Sequence, residues 1–156
     1  MPTTSAIHEF LRDAQVGYMV LPHSPAYTAQ QEAAAVHVPG RDWAKVVVCF
    51  IDGGPVEAVV PAPMVVNLDE LLELAGGSVI RLAREDELAR LYPGCEPGAM
   101  PPFGPLYGQP VFVDVTLARE PVLAFNAGTH TEAIGMRWVD FAASVRPIVG
   151  RFAEAD

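Results

Sequence analysis

Apolar residues recur every three or four positions in several stretches of the chain, which is the spacing of one face of an α-helix. The first such stretch contains Ile7, Phe10 and Leu11. In a second stretch, Thr28 is followed three positions later by Gln31, the sequence signature of a capping box. Helices are therefore predicted over residues 4–15, 28–36, 67–76, 84–92 (before a Pro-Gly pair) and 139–145.

Short runs rich in Val, Ile, Phe and Leu, bounded by Gly, Pro or Asn, predict strands between these helices. The most continuous run lies in "RDWAKVVVCFID", where residues 44–51 are predicted to form a strand, and "DGGP" predicts a turn into a return strand at residues 56–60. Further strands are predicted at residues 18–21, 79–82, 111–116, 122–125 and 131–137. Because helices and strands are mixed without strict alternation, the pattern predicts an α+β domain around a mostly antiparallel or mixed sheet.

The composition supports one folded domain. The chain has 156 residues, of which 51% are hydrophobic and 19% are charged, and this excludes an intrinsically disordered chain. A single domain over residues 1–156 is expected. No apolar run is long enough to span a membrane, and the first residues lack the basic head and unbroken apolar stretch of a signal peptide. A cytoplasmic protein without membrane association is therefore expected.

The charge balance limits the partners of the chain. The formal net charge is −9, whereas proteins that bind nucleic acid through many phosphates usually present a basic face. DNA is therefore not an expected partner, and any contact with nucleic acid should be small and local. The two cysteines, Cys49 and Cys95, are predicted to lie in a buried strand and in a loop, so no disulfide bond is expected.

Lys45 is the only lysine of the chain, and it stands at the head of the most apolar run. One interpretation is a lysine at a strand end whose ammonium reaches solvent. The other is a functional contact, because a compact ammonium can reach a single oxygen where the planar guanidinium of arginine cannot replace it. The absence of any other lysine favours the functional interpretation.

Two glycine-containing segments are further candidates. "GCEPGAMPPFGPLYG", residues 94–108, has four glycines and four prolines, and it predicts either a simple connection or a rigid loop that presents backbone N–H groups to a ligand. "FNAGTH" places Gly128 and Thr129 before His130, which is a candidate acid or base or a surface histidine. His23 precedes a helix N-terminus, where an anion could bind. No phosphate-binding loop, dinucleotide fingerprint or metal-ligand spacing is present, so neither cofactor nor metal is expected.

In combination these segments resemble the YbaK/ProX family of stand-alone aminoacyl-tRNA deacylases, which is related to the editing domain of bacterial prolyl-tRNA synthetases. The resemblance covers about residues 7–146. It is carried by "HSPAYTAQQEAAA", Lys45, "NLDELLELAGG" with "RLAREDEL", and "FNAGTH". "GAMPPFG" matches the glycine-x-x-x-proline loop of the family with Gly98 and Pro102. Val46 departs from the Thr or Ser that many members have at that position.

The resemblance implies a YbaK-like fold with a barrel-like central sheet surrounded by helices. It also implies a trans-editing deacylase that hydrolyses mischarged tRNA(Pro) carrying alanine, cysteine or serine. The expected partners are the tRNA acceptor end and prolyl-tRNA synthetase, with the protein a monomer or a homodimer. Lys45 and His130 are the expected catalytic residues, with Lys45 holding the terminal nucleotide across a cleft from residues 98–104. The expected substrate-binding residues are Tyr18, His23, Tyr27, Thr28, Gly98, Met100, Pro102, Phe103, Gly104, Gly128 and Thr129.

Two rival hypotheses come from other classes of protein. The first is a non-catalytic module or regulator that holds a nucleotide or a tRNA end, and it predicts binding without turnover. The second is Schiff-base chemistry at Lys45, because burial can turn a lysine into a nucleophile. Trapping with borohydride would detect that chemistry.

Overall fold

The computed structural model describes residues 4–156. Its helices are α1 (Thr4–Asp13), α2 (Ala29–Ala35), α3 (Leu68–Ala75), α4 (Glu85–Leu91), α5 (Val115–Ala118) and α6 (Trp138–Val145). Its strands are β1 (Met19–Pro22), β2 (Ala44–Ile51), β3 (Gly54–Pro61), β4 (Met64–Val66), β5 (Ile80–Leu82), β6 (Val111–Asp114), β7 (Val122–Thr129), β8 (Glu132–Arg137), β9 (Ile148–Gly150) and β10 (Ala153–Ala155). None of the helices in this part of the chain has the length and apolar character needed to cross a membrane.

The strands form three separate sheets. A five-stranded sheet has the order β5-β2-β3-β6-β9, in which β5, β2 and β3 pair antiparallel, while β6 pairs parallel with both β3 and β9. A three-stranded antiparallel sheet has the order β1-β8-β7, and β4 pairs with β10. The predicted α+β class is confirmed. The expected barrel-like closure is wrong for residues 4–156, because the two edge strands of the large sheet, β5 and β9, do not pair with each other.

The hairpin of β2 and β3 is the centre of the large sheet. Asp52 and Gly53 both have positive φ, 50° and 83°, which is the geometry of the two-residue turn that matches the twist of paired strands. All eight residues of β2 pair with β3, from Ala44 opposite Pro61 to Ile51 opposite Gly54. The Asp-Gly signal in the sequence therefore sets the register of the main sheet.

The two faces of this hairpin pack against different parts of the chain. We call one the loop face, because Val48 on it packs against Met100. We call the other the helix face, because Val47 and Cys49 pack in the cluster that contains Leu71 of α3. Side chains alternate between the faces of a strand, so the position of each β2 residue along the strand decides which face it joins.

Aromatic rings fill the core between the loop face and the helices. Phe103 is fully buried, and its ring centroid lies 5.3 Å from that of Phe125 and 5.6 Å from that of Phe141. Ile7 and Leu11 of α1 belong to the same cluster. Phe103, expected to bind substrate, is therefore a core residue that anchors the proline- and glycine-rich segment.

Candidate functional site

The segment between α4 and β6, residues 94–109, is fastened to the turn between β7 and β8. We call it the 94–109 loop. The Glu96 amide donates to the Gly128 carbonyl at 2.8 Å, and the Gly128 amide donates to the Ala99 carbonyl at 3.0 Å. The Ala99 amide donates to the Glu96 carbonyl at 3.0 Å and closes a tight turn. The entry half of the loop is thus held on Gly128, one of the expected site residues.

His130 is the centre of this region, and it is only 5% exposed. Its Nε2 lies 2.7 Å from the carbonyl oxygen of Pro97, and its Nδ1 lies 2.9 Å from Glu32 Oε1 on α2. Its backbone amide donates to Glu96 Oε1 at 2.6 Å. A carbonyl oxygen only accepts hydrogen bonds, so Nε2 must carry a hydrogen. Both ring nitrogens are therefore occupied in this arrangement.

His130 and Glu32 share one proton between Nδ1 and Oε1. Burial raises the pKa of Glu32, against an opposing effect of His130. Burial lowers the pKa of His130, but the hydrogen bonds to Pro97 and Glu32 outweigh this effect and raise its pKa overall. The pair is thus either an imidazolium with a carboxylate or an imidazole with a carboxylic acid. In both forms Nε2 keeps its hydrogen and donates it to the Pro97 carbonyl.

Two other expected site residues contact the His130 ring. The Tyr27 ring centroid lies 4.9 Å from that of His130. Gly98 has φ of +82°, and a Cβ atom on it would lie 3.6 Å from His130 Cε1. A left-handed backbone favours glycine, because other residues lose free energy there. The glycine of the "GAMPP" motif thus allows the turn that brings the loop against the histidine.

The turn leaves two backbone amides without an acceptor. Within residues 4–156, the amides of Gly98 and Met100 donate no hydrogen bond. Successive amides in a turn that includes a left-handed residue can form a concave site for an anion. A cavity of about 260 Å³ borders this turn, and its lining residues are Leu88, Ala89, Tyr92, Gly94, Cys95, Glu96, Pro97 and Met100. The arrangement can receive a small group next to backbone donors.

Lys45 lies in a different place from the one expected. It pairs with Val60 and shares the helix face with Val47, whereas Met100 packs on the loop face. Its ammonium donates to the carbonyl oxygens of Ala62 (at 3.2 Å) and Met64. Burial lowers its pKa, against an opposing effect of Asp156. The expectation that Lys45 faces residues 98–104 across one cleft is wrong, because alternation along β2 directs its side chain to the other face of the sheet.

The remaining expected residues fall into two groups. The residues of the first group lie around His130 and the loop, and their contacts are structural. Pro102 and Gly104 are buried. Thr28 caps α2 by accepting from the Gln31 amide, and Thr129 Oγ1 contacts Thr131 Oγ1 at 3.3 Å. The second group has side chains that bond elsewhere: the Tyr18 hydroxyl contacts His8, and His23 Nδ1 donates to the Ser24 carbonyl at 2.7 Å. The His23 amide nevertheless donates to the carbonyl of Thr131, next to His130, at 2.8 Å.

Glu32 and Glu96 are the residues of this site that sequence reasoning missed. Glu32 lies in the alanine-rich helix "QQEAAA", where a carboxylate is expected to face solvent. In the structure its exposed fraction is only 1%. Glu32 stands next to Ala33, and both lie on the buried face of α2. This neighbouring alanine is the sequence feature that could have indicated the burial of Glu32. Among the described residues, no group of three or more His, Cys, Asp or Glu side chains is arranged to hold a metal ion.

One family model and several solved structures match this chain. The family model described as the aminoacyl-tRNA editing domain matches residues 23–143. Among solved structures, "hypothetical protein APE2540" aligns with a TM-score of 0.85 and 22% identity over 95% of this chain and 99% of that chain. A "putative trans-editing enzyme for prolyl tRNA synthetase" aligns with a TM-score of 0.83 and 23% identity over 99% of both chains. At these identities the structures share the fold. Among curated proteins, no sequence matches this chain significantly.

Proposed function

Because this chain belongs to the aminoacyl-tRNA editing domain family, we propose that it is a trans-editing deacylase that hydrolyses the ester bond of mischarged aminoacyl-tRNA. The proposed substrate is tRNA(Pro) carrying alanine, cysteine or serine. The observation that carries the proposal is the turn at residues 96–100. It is held by His130, it leaves the amides of Gly98 and Met100 without an acceptor, and Met100 lines a small cavity.

The two free amides supply the chemistry that ester hydrolysis needs. Water adds to the ester carbon with loss of one proton and forms a tetrahedral oxyanion. The bond from that carbon to the ribose oxygen then breaks, and the ribose oxygen takes up a proton to become a hydroxyl. The amides of Gly98 and Met100 are the proposed donors to the oxyanion. A preorganised donor of this kind is worth roughly 3 kcal/mol of transition-state stabilisation.

His130 acts in this proposal as a positioning residue. The C=O and N–H of a trans peptide point in opposite directions, so the bond from Nε2 to the Pro97 carbonyl fixes the direction of the Gly98 amide. Because both ring nitrogens already form hydrogen bonds, neither can accept a proton from the attacking water in this arrangement. We therefore propose that a ribose hydroxyl of the substrate orients the attacking water, and that Glu32 keeps the His130 ring in place.

The cavity beside the turn is the proposed pocket for the amino-acid side chain. Its volume of about 260 Å³ suits a small group, and Met100 and Pro97 form part of its wall. One methylene group changes binding by only about 1–3 kcal/mol, so the size of the cavity alone gives limited discrimination among small side chains. The identity of the tRNA, read with the help of prolyl-tRNA synthetase, would supply the rest.

The tRNA contact is proposed to be confined to the acceptor end. A net charge of −9 disfavours a broad contact with phosphates, and a small contact gives a shallow dependence of binding on salt. Lys45 donates to the Ala62 and Met64 carbonyls on the helix face of the sheet, away from the turn proposed to hold the ester, so this proposal gives it a structural role. Translation takes place in the cytoplasm, which is the proposed location.

A deacylation panel tests the proposal. Purified protein at micromolar concentration is mixed with tRNA(Pro) charged with alanine, cysteine, serine or proline, and ester loss is compared with the rate without protein. Faster loss of at least one of the first three esters, and none of the proline ester, is expected. Binding of the charged tRNA without faster hydrolysis of any ester would instead support a non-catalytic module.

A further inference from the structure

A second cluster of buried polar groups lies at the exit half of the 94–109 loop. Glu57 on β3 has no exposed surface, and Tyr92 and Gln109 beside it are 2% and 4% exposed. The Tyr92 hydroxyl oxygen lies 2.8 Å from Glu57 Oε2 and 2.9 Å from Gln109 Oε1. The deacylation chemistry proposed above uses none of these three side chains.

Counting hydrogens in this cluster indicates the protonation state of Glu57. The Tyr92 hydroxyl has one hydrogen and cannot donate to both neighbouring oxygens. If it donates to Gln109, the contact with Glu57 needs a hydrogen on the carboxyl group, which is then a neutral acid. If the Gln109 amide is reversed, Tyr92 donates to a carboxylate. That carboxylate would be a fully buried anion whose Oε1 has no hydrogen-bond partner, which is the costlier arrangement.

The environment of Glu57 agrees with the neutral form. Burial raises the pKa of Glu57 to about 8, against opposing effects of the Tyr92 hydroxyl and the Gly104 amide. Its neighbours across the sheet are Val48 on β2 and Val111 on β6, which carry no charge. Burial therefore outweighs the two donors, and the environment favours the neutral acid.

The cluster is connected to the exit half of the loop by several bonds. The Gly104 amide acts on Glu57 by lowering the pKa of its carboxyl group, and the Gln109 amide donates to the Gly104 carbonyl at 2.9 Å. The Glu57 amide donates to the Pro110 carbonyl at 3.0 Å. Tyr92 also lines the cavity proposed for the amino-acid side chain, together with Met100. A change in the cluster therefore reaches both the loop and the wall of that cavity.

On the basis of the proposed function, we propose that Glu57 is a positioning residue that holds the exit half of the 94–109 loop as a neutral carboxylic acid and releases it on ionisation. When Glu57 loses its proton, Tyr92 must turn its hydrogen towards the carboxylate, and Gln109 Oε1 loses its donor. Gln109 then has to reverse its amide or move. The result is a loop whose geometry, and with it the deacylation rate, depends on alkaline pH.

The other titratable groups that face Glu57 do not change charge in the same range. Tyr92 and Tyr107 have ring centroids 4.5 Å apart, and the Tyr107 hydroxyl contacts Cys95 Sγ at 3.3 Å. Burial raises the pKa of all three groups above their ordinary values. A transition near pH 8 in this cluster therefore belongs to Glu57.

The first experiment compares kcat/KM for deacylation, corrected for the rate without protein, in the wild type and in Glu57→Gln. The amide of glutamine keeps a hydrogen for Tyr92 and cannot ionise. The wild type is expected to lose about tenfold in kcat/KM for each pH unit above the pKa, whereas Glu57→Gln changes less than about threefold. Glu73→Gln, on the exposed side of α3, is the control and should follow the wild type. An alkaline decline shared by wild type and Glu57→Gln would overturn the proposal.

A second experiment does not depend on activity. Infrared spectra of the wild type at about pH 6 should contain the carbonyl band of a buried carboxylic acid, which is lost near the pKa of about 8 and is missing in Glu57→Gln. Absence of the band from the wild type would also overturn the proposal. If the wild type deacylates nothing, this measurement still tests Glu57 while the proposed function fails separately. If Glu57→Gln does not fold, Tyr92→Phe should give a lowered kcat/KM without the alkaline decline.

Discussion

The 94–109 loop is held at two places, and the two attachments differ in their chemistry. The entry half is held by His130 and Glu32, an ionisable pair that shares a proton next to the exposed residues Glu96 and Gly98. The exit half is held by the neutral cluster around Glu57, which has no exposed surface. The two partners of a proton-sharing pair can stabilise a charge on each other, whereas an acid without a basic partner in a dry site favours the neutral form. The comparison teaches that one loop is held by a proton-sharing pair at its entry and by a neutral acid at its exit.

The largest effect is expected from His130→Ala, which removes the donor that fixes the Pro97–Gly98 peptide. If the Gly98 amide then loses its direction, kcat should fall about 100-fold, close to the cost of losing one oxyanion donor. His37→Asn is the matched control, because His37 is exposed and asparagine tolerates its positive φ of 59°. A deacylation assay with saturating substrate measures the change. A kcat that stays within threefold of the wild type would remove the entry attachment from the mechanism.

A smaller effect is expected from Gly98→Ala, which forces a side chain into the left-handed backbone beside His130. The loss of stability should be about 1–2 kcal/mol, and kcat should fall about tenfold as the turn shifts. Gly17→Ala is the control, because a Cβ atom at Gly17 meets nothing within 4 Å. Denaturant unfolding and single-turnover deacylation measure the two changes. Equal stability of the two variants would show that the turn relaxes without strain.

Glu32→Gln tests the attachment of the entry half through the pH dependence of protein stability. The pKa values of Glu32 and His130 are both raised in the folded state, so the wild type gains stability from proton uptake at low pH and loses it as pH rises. For His130 the loss begins near the ordinary value of 6.5 and ends at the raised value. Glu32→Gln should weaken this dependence and lower kcat about fivefold. Thermal unfolding at several pH values checks it, and an unchanged pH dependence would contradict the shared proton.

The smallest effect on kcat is expected from Lys45→Met, because its side chain lies on the helix face of the sheet, away from the loop. Loss of a charged donor to the Ala62 and Met64 carbonyls should cost about 1–3 kcal/mol of stability. Both kcat and KM for charged tRNA should stay within about threefold of the wild type. Arg12→Ala is an exposed control. A folded Lys45→Met with kcat lowered about 100-fold would put Lys45 in the reaction itself.

The elements with strong local signals could be predicted from the sequence. β2 has the predicted bounds, and α3 has the predicted cap at Asn67 and the left-handed Gly76 at its end. The short strands β4, β9 and β10 were not predicted, because three-residue strands are defined by partners distant in the chain, as in the pairing of Ala153 with Val66. Local patterns contain no information about such partners.

The site was predictable only in part. Gly98, Tyr27 and His130 were expected, and both Gly98 and Tyr27 lie beside the His130 ring. Glu32 was missed, because its partner His130 is 98 positions away in the chain. Lys45 was assigned to the wrong face because apolar residues occupy both faces of β2, so the alternation that normally tells inside from outside is absent.

The close fit of Gly104 limits how this protein can be redesigned. A Cβ atom there would overlap the Gln109 carbonyl oxygen and would crowd Val111, so position 104 accepts no larger residue without a shift of the loop. Libraries that aim to alter which amino acid is removed should therefore diversify positions 95 and 100, which line the cavity, and keep Gly104 and the residues that hold His130.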